Sequence, residues 1–169
     1  MKKIVLAVLI MVPALLMAQE SLKIGFINSQ DLITSMPEYE AALKQLEDIN
    51  LTYQQEGKKL NDELQKKYAE YLQKKDSLDV TIREYKEAEL QRLGQSIEEF
   101  QQNAQTNLQK KQQELIAPII DKANKAVKQV GDENGFTYII DSAGGQVLPY
   151  VGSAAVNVLP LVKKVLNLK

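Results

Sequence analysis

The sequence predicts an α+β chain, mostly α: a small β-rich oligomerisation body with a long antiparallel helical hairpin inserted between its strands. Three observations predict it. From Glu38 to Ala117 there is no proline, and the only glycines are Gly57 and Gly94. That segment is built from Glu, Gln, Lys, Leu and Ala, which are good helix formers. Near its middle, Asp76-Ser-Leu-Asp-Val-Thr81 interrupts the run with turn and cap residues. Two arms of about 40 residues, hence ~60 Å each at ~1.5 Å per residue, would fold back at a tip near Ser77 to Thr81. The compact remainder is small and buries little surface, so oligomerisation is the expected source of its stability.

The chain begins with Met1-Lys-Lys, an apolar run from Ile4 to Met17 and small Ala18 before polar Gln19. This reads as a secretory signal peptide over 1–18; the run is too short for a comfortable membrane span, and Pro13 breaks it. Cleavage after Ala18 removes two lysines and no acid, taking the net charge from −1 to −3. A mildly acidic chain has no electrostatic case for nucleic acid.

In the mature chain, residues 19–36 and 118–169 form the body and 37–117 the arm. Leu22 to Asn28 reads as a strand, with Leu22, Ile24 and Phe26 on one face at period two. Ser35-Met-Pro-Glu38 carries a capping-box pattern, with Ser35 as N-cap and Pro37 in the first turn. The first arm's seam runs through Leu43, Leu46, Asn50, Tyr53, Gly57, Leu60, Leu64, Lys67 and Tyr71, of which three are not apolar. The second arm's stripe is Ile82, Tyr85, Leu93, Ile97, Phe100, Ala104, Leu108 and Leu115, with a slip at Leu108. Such a seam holds two arms loosely. Gly57 and Gly94 are either tolerated or swivel points. Pro118 should kink the second arm as it rejoins the body. A body helix follows, with Ile119, Ile120, Ala123, Ala126, Val127 and Val130 on one face. Phe136 to Asp141 is the second strand, Gly144-Gly145 a hairpin signal and Gln146 to Val151 a third strand, with Ala155 to Val158 as a further extended piece. Pro160 opens a last short helix.

No His and no Cys is present. That removes the usual general base near neutral pH, the common nucleophile–base pairs and most zinc sites. No phosphate-cradling loop is present either, and pairs such as Glu98-Glu99 read as solvated surface. The expectation is a non-enzyme with no cofactor and no metal. The aromatic residues are more informative. Tyr68, Tyr71 and Leu72 near the tip are hard to bury together on one seam. With Leu78, Ile82 and Tyr85 they are the candidate contacts for an unfolded client, against a plain reading as seam packing.

Lys23-Ile-Gly-Phe-Ile-Asn-Ser-Gln-Asp31, Ser35-Met-Pro-Glu-Tyr39, Lys110-Lys-Gln-Gln-Glu-Leu-Ile-Ala-Pro118, Gly135-Phe-Thr-Tyr-Ile-Ile-Asp-Ser142 and Val158-Leu-Pro-Leu-Val-Lys-Lys164 together resemble the Skp/OmpH family of periplasmic chaperones. The resemblance spans essentially the whole mature chain. It implies a homotrimer joined through the body, with three hairpins around a cavity that holds unfolded outer-membrane β-barrel proteins without ATP. Ile24, Phe26, Tyr138, Ile140 and Val147 are then the expected oligomer core. It also implies a periplasmic location and transient contact near the membrane surface. From Pro37 to Ala117 there are 12 basic and 16 acidic residues. This departs from the strongly basic arms of the best-known members and argues against carrying over their lipopolysaccharide site. The alternative is a secreted coiled-coil spacer or adaptor of the cell envelope with no chaperone activity; the irregular seam favours the holdase.

Overall fold

A computed structural model of the chain describes residues 22–143 and 150–168. The expected signal peptide over 1–18, the expected turn at Gly144-Gly145 and Val147 lie outside these. The described chain is mostly helical, with one small sheet. In order it forms β1 (Ile24–Ile27), α1 (Ser29–Thr34), α2 (Pro37–Lys74), a 3-10 turn (Lys75–Ser77), α3 (Val80–Asn134), β2 (Tyr138–Asp141), β3 (Val156–Asn157) and α4 (Leu159–Val165). These fall into two units, one from the residues up to Ile33 and from Lys122 onward, the other from Thr34 to Asp121.

The first unit holds the sheet, in the order β2-β1-β3. Both outer strands pair with β1 in parallel, Phe26 lying opposite Ile140 on one side and Asn157 on the other. Parallel neighbours need a long crossover, and more than a hundred residues separate β1 from β2. Of the expected third strand over Gln146 to Val151, Gln146 to Pro149 lie outside the described residues and Tyr150 and Val151 carry no strand. The expected extended piece at Ala155 to Val158 supplies β3, Val156–Asn157, beside β1.

Alternation along β1 turns Gly25 and Ile27 inward, leaving Ile24 and Phe26 half-buried on the opposite face. Ile27 joins Leu32, Ala123, Ala126, Val130, Val158 and Val162 in the core. Gly25 is there because a Cβ would lie 2.8 Å from Val158 Cγ1. Asn28 caps α1, its Oδ1 accepting from the N–H groups of Gln30 (3.1 Å) and Asp31 (3.3 Å). Asp141 ties the two chain ends together: its carboxylate accepts from the N–H (3.0 Å) and hydroxyl (2.6 Å) of Ser29 and from the N–H of Ala143 (3.0 Å). Burial pushes the Asp141 carboxyl up, but these bonds outweigh it and hold it below its ordinary value.

Helix α3 runs through Pro118 and ends at Asn134. The expected body helix after Pro118 is the continuation of this same helix, with the proline inside it. The stop is Gly135 at φ 65°, with the Phe136 N–H bonded to the Gly131 carbonyl (3.0 Å). Lys23 finishes that end, donating to the Asn134 carbonyl (2.7 Å) and lying 4.4 Å from the centre of the Phe136 ring.

In the second unit α2 starts at Pro37, one residue later than Ser35 as N-cap predicts. Met36 occupies the cap position at φ −82°, ψ 126°, without a side-chain cap bond, and Pro37 follows it. The cause is the proline, which forces the residue before it out of helical geometry. At the far end Ser77 Oγ donates to the Lys74 carbonyl (2.8 Å), and Asp79 caps α3 by accepting from the Thr81 N–H (2.9 Å).

Candidate functional site

Contacts between α2 and α3 join residues whose numbers rise in one helix as they fall in the other. Tyr53 meets Phe100 edge to face, centroids 6.2 Å apart. Lys67 donates to Glu89 (2.6 Å), and Tyr71 donates its hydroxyl proton to Glu87. The covered stripe of α2 follows the expected register from Leu46 to Tyr71. At its start, however, buried Ala42 replaces Leu43, which is 47% exposed. On α3 the covered stripe begins at Ala88 to Leu90 and continues through Leu93, Ile97, Phe100, Ala104 and Leu108. Ile82 and Tyr85, expected in that stripe, are exposed.

Lys67 is tolerated in the seam because Glu89 lies across from it. Glu89 also accepts from Lys86 (2.9 Å), and hydrogen bonds from Lys67 first and Lys86 second hold its carboxyl at about 2, against the opposing effect of burial. The same bond from Lys67 raises that ammonium. The bond to Glu87 raises the Tyr71 phenol, and burial adds to it.

The six candidate client contacts therefore divide. Tyr71 and Leu78 line a cleft of about 150 Å³ with Lys67, Lys86, Glu89 and Leu90. Tyr68, Leu72, Ile82 and Tyr85 stand on the surface, Tyr85 at 63% exposure. Tyr68 and Leu72 share one face at a spacing of four, as Ile82 and Tyr85 do at three. Val80, 61% exposed, belongs with them and was missed. It sits among turn residues, where the sequence gives no periodicity to read.

Nearer the middle of the pair the seam opens. A groove of about 420 Å³ is floored by Tyr53, Gly57, Phe100, Ala104 and Leu108 and rimmed by the amides of Asn50, Gln54, Gln101 and Gln105. A further 320 Å³ continues it past Leu46, Glu47 and Gln112. Steric need does not explain Gly57: an added Cβ would meet only Phe100 Cε1, at 3.6 Å. Nothing lies within 4 Å of such an atom at Gly94. Each of these helix glycines costs about 1 kcal/mol relative to alanine.

Four of the five expected oligomer-core residues, Ile24, Phe26, Tyr138 and Ile140, lie on one sheet face that the described residues cover only in part. Ile24 and Phe26 are half-buried, while Tyr138 (62%) and Ile140 (41%) are exposed. Ile24, Phe26 and Ile140 line a 310 Å³ cleft with Leu22, Tyr150 and Val151. Tyr150 and Val151 were not singled out in the sequence, because Pro149 marks that segment as an edge or a break. Among the described residues no His, Cys, Asp or Glu group could hold a metal ion, and no helix is long and apolar enough to cross a membrane.

The fold defines a class: a small parallel sheet whose central strand and first neighbour are separated in sequence by two long paired helices. The family model for outer membrane protein (OmpH-like) matches residues 23–166, and the chain belongs to that family. Comparison with curated proteins gives no match. Among solved structures, the chain is similar to a proposed outer membrane chaperone (OmpH-like) from Caulobacter crescentus CB15, at a TM-score of 0.73 and 16% identity. The match covers 85% of this chain and 83% of that one, a likeness of fold.

Proposed function

We propose that this chain is an ATP-independent holdase chaperone of the periplasm, which binds unfolded outer-membrane β-barrel proteins between helical hairpin arms and prevents their aggregation. The observation that carries this reading is the exposure of five large apolar side chains on the two helices either side of the turn, Tyr68, Leu72, Val80, Ile82 and Tyr85. Apolar surface left exposed in this number marks regions that meet other molecules. Family membership and the description of the Caulobacter neighbour as an outer membrane chaperone support it. The absence of His and Cys fits a protein that binds without catalysing.

In this reading the hairpin is the antiparallel pairing of α2 with α3, and the first unit is the body of a homotrimer. The open face bearing Ile24, Phe26, Tyr138 and Ile140 supports a partner subunit there. Each apolar side chain buried against a client contributes about 1 to 2 kcal/mol, so several hold an unfolded segment while any one can release it. The test mixes the chain from Gln19 onward with a urea-denatured outer-membrane β-barrel on dilution, followed by light scattering. Suppressed aggregation at stoichiometric amounts is expected. Scattering equal to that of the barrel alone would leave the spacer reading in its place.

A further inference from the structure

The groove at Gly57 has two features that packing alone does not explain. A glycine stands mid-helix where an added Cβ would make only an ordinary contact, 3.6 Å to Phe100 Cε1, and it lines the groove beside that ring. Departures from local stability rules of this kind gather at functional positions. The second feature is the rim. About a third of the residues from Pro37 to Ala117 are charged, yet Asn50, Gln54, Gln101 and Gln105 are all neutral amides, and Glu47 is the one acid at the adjoining end.

A side-chain amide carries both donors and an acceptor. An extended backbone presents alternating N–H and C=O groups, which a double row of amides can match whatever the client's sequence. The floor of Tyr53, Phe100 and Leu108 suits every second side chain of such a strand, since successive side chains point to opposite faces. From Glu47 to Gly57 the groove spans ~15 Å of helix, room for about four or five extended residues.

We propose that this amide-rimmed groove is a docking subsite for one extended segment of an unfolded polypeptide, with an apolar client side chain seated over Gly57. The proposal rests on the holdase reading and adds to it a site within a single α2–α3 pair, apart from the exposed side chains either side of the turn. It accounts for a neutral rim in a chain otherwise rich in charge: formal charge there would favour clients of one sign.

The test measures binding of a fluorescently labelled, urea-denatured outer-membrane β-barrel by anisotropy on dilution into the chain from Gln19 onward. Gly57→Leu fills the groove from α2, Ala104→Leu fills it from α3, and Gly94→Ala stiffens α3 without filling anything. The expected result is an apparent Kd raised about tenfold by each filled variant, the contribution of one buried apolar side chain, with thermal stability equal to or above that of the parent. Gly94→Ala should bind as the parent does. Parent binding that both filled and folded variants retain would overturn the subsite while leaving the holdase reading standing. A parent chain that binds no unfolded barrel would overturn both.

Discussion

Gly25→Ala tests the reading of the sheet unit most directly. The added methyl would lie 2.8 Å from Val158 Cγ1, 3.2 Å from Phe136 Cδ1 and 3.3 Å from Ile139 Cγ1, where carbon atoms prefer ~3.5 to 4.0 Å. Val158 cannot easily retreat. It is fully buried, its N–H bonds to the Phe26 carbonyl (3.0 Å), and its own carbonyl accepts from Val162 (3.0 Å). Overpacking of this kind costs about 1 to 3 kcal/mol. Replacing glycine in a strand returns about 0.5 to 1 kcal/mol through the unfolded chain, so mid-range values leave a net loss of about 1 kcal/mol, within bounds of about 0 to 2.5. For a unit of this size each kcal/mol moves Tm by roughly 4 to 8 °C. Gly57→Ala is the internal control, because its Cβ meets one ring atom at 3.6 Å and the helix gains about 1 kcal/mol. Scanning calorimetry at one fixed protein concentration should therefore show the two substitutions moving Tm in opposite directions. A Gly25→Ala chain as stable as its parent would refute the packing argument.

Three further outcomes are expected. Asp141→Asn should lower stability by about 1 kcal/mol, because it loses one of the charge-assisted bonds to Ser29 and Ala143. Since the folded-state value of Asp141 is depressed, its contribution is complete above the unfolded carboxylate value near 3.9 and is lost as pH falls from there through the folded value; a denaturant titration at pH 7 and pH 3 should show the two chains converging at low pH. Replacing Tyr68, Leu72 and Tyr85 together by Ser should weaken capture of an unfolded barrel while added salt up to physiological strength changes it little; normal capture by the variant with collapse on adding salt would point to a charge-based mechanism. Ile24→Asp with Ile140→Asp should convert a trimer to a folded monomer by multi-angle light scattering, and a parent chain that is itself a stable monomer would end the trimer reading.

The sequence carried the long helices well, because 80 residues of good helix formers leave few alternatives, and the turn chemistry of Ser77 and Asp79 marked the tip. It also paired Ile24 with Phe26 on one strand face. It placed the first strand and the Phe136 to Asp141 strand in one sheet across the inserted helices; what it could not supply was their parallel register, since neighbours a hundred residues apart leave no local signal of direction. Lys67 looked like a seam flaw until Glu89 appeared opposite it. The start of α2 fell one residue after the expected one, because Pro37 holds Met36 out of helical geometry. Exposure at the candidate site was only half legible: Tyr68 and Leu72 were too many for the seam, as expected, whereas Tyr71 found Glu87 and Val80 gave no pattern at all.

The parallel ladder between β1 and β2 has a consequence for the order of folding. The sheet cannot be completed until β3, Val158 and Val162 are available, and more than a hundred residues of chain separate β1 from either of its neighbours. Closing a loop of that length costs entropy that grows as roughly (3/2)RT ln n. The contacts between α2 and α3 are progressively nested: Tyr71 with Glu87, then Lys67 with Glu89, then Tyr53 with Phe100. Zipping from the turn outward, each contact shortens the loop left for the next. Strands far apart in sequence are thereby brought together through a series of small closures, and a substitution near Ser77 to Asp79 should lower stability through slower folding rather than faster unfolding.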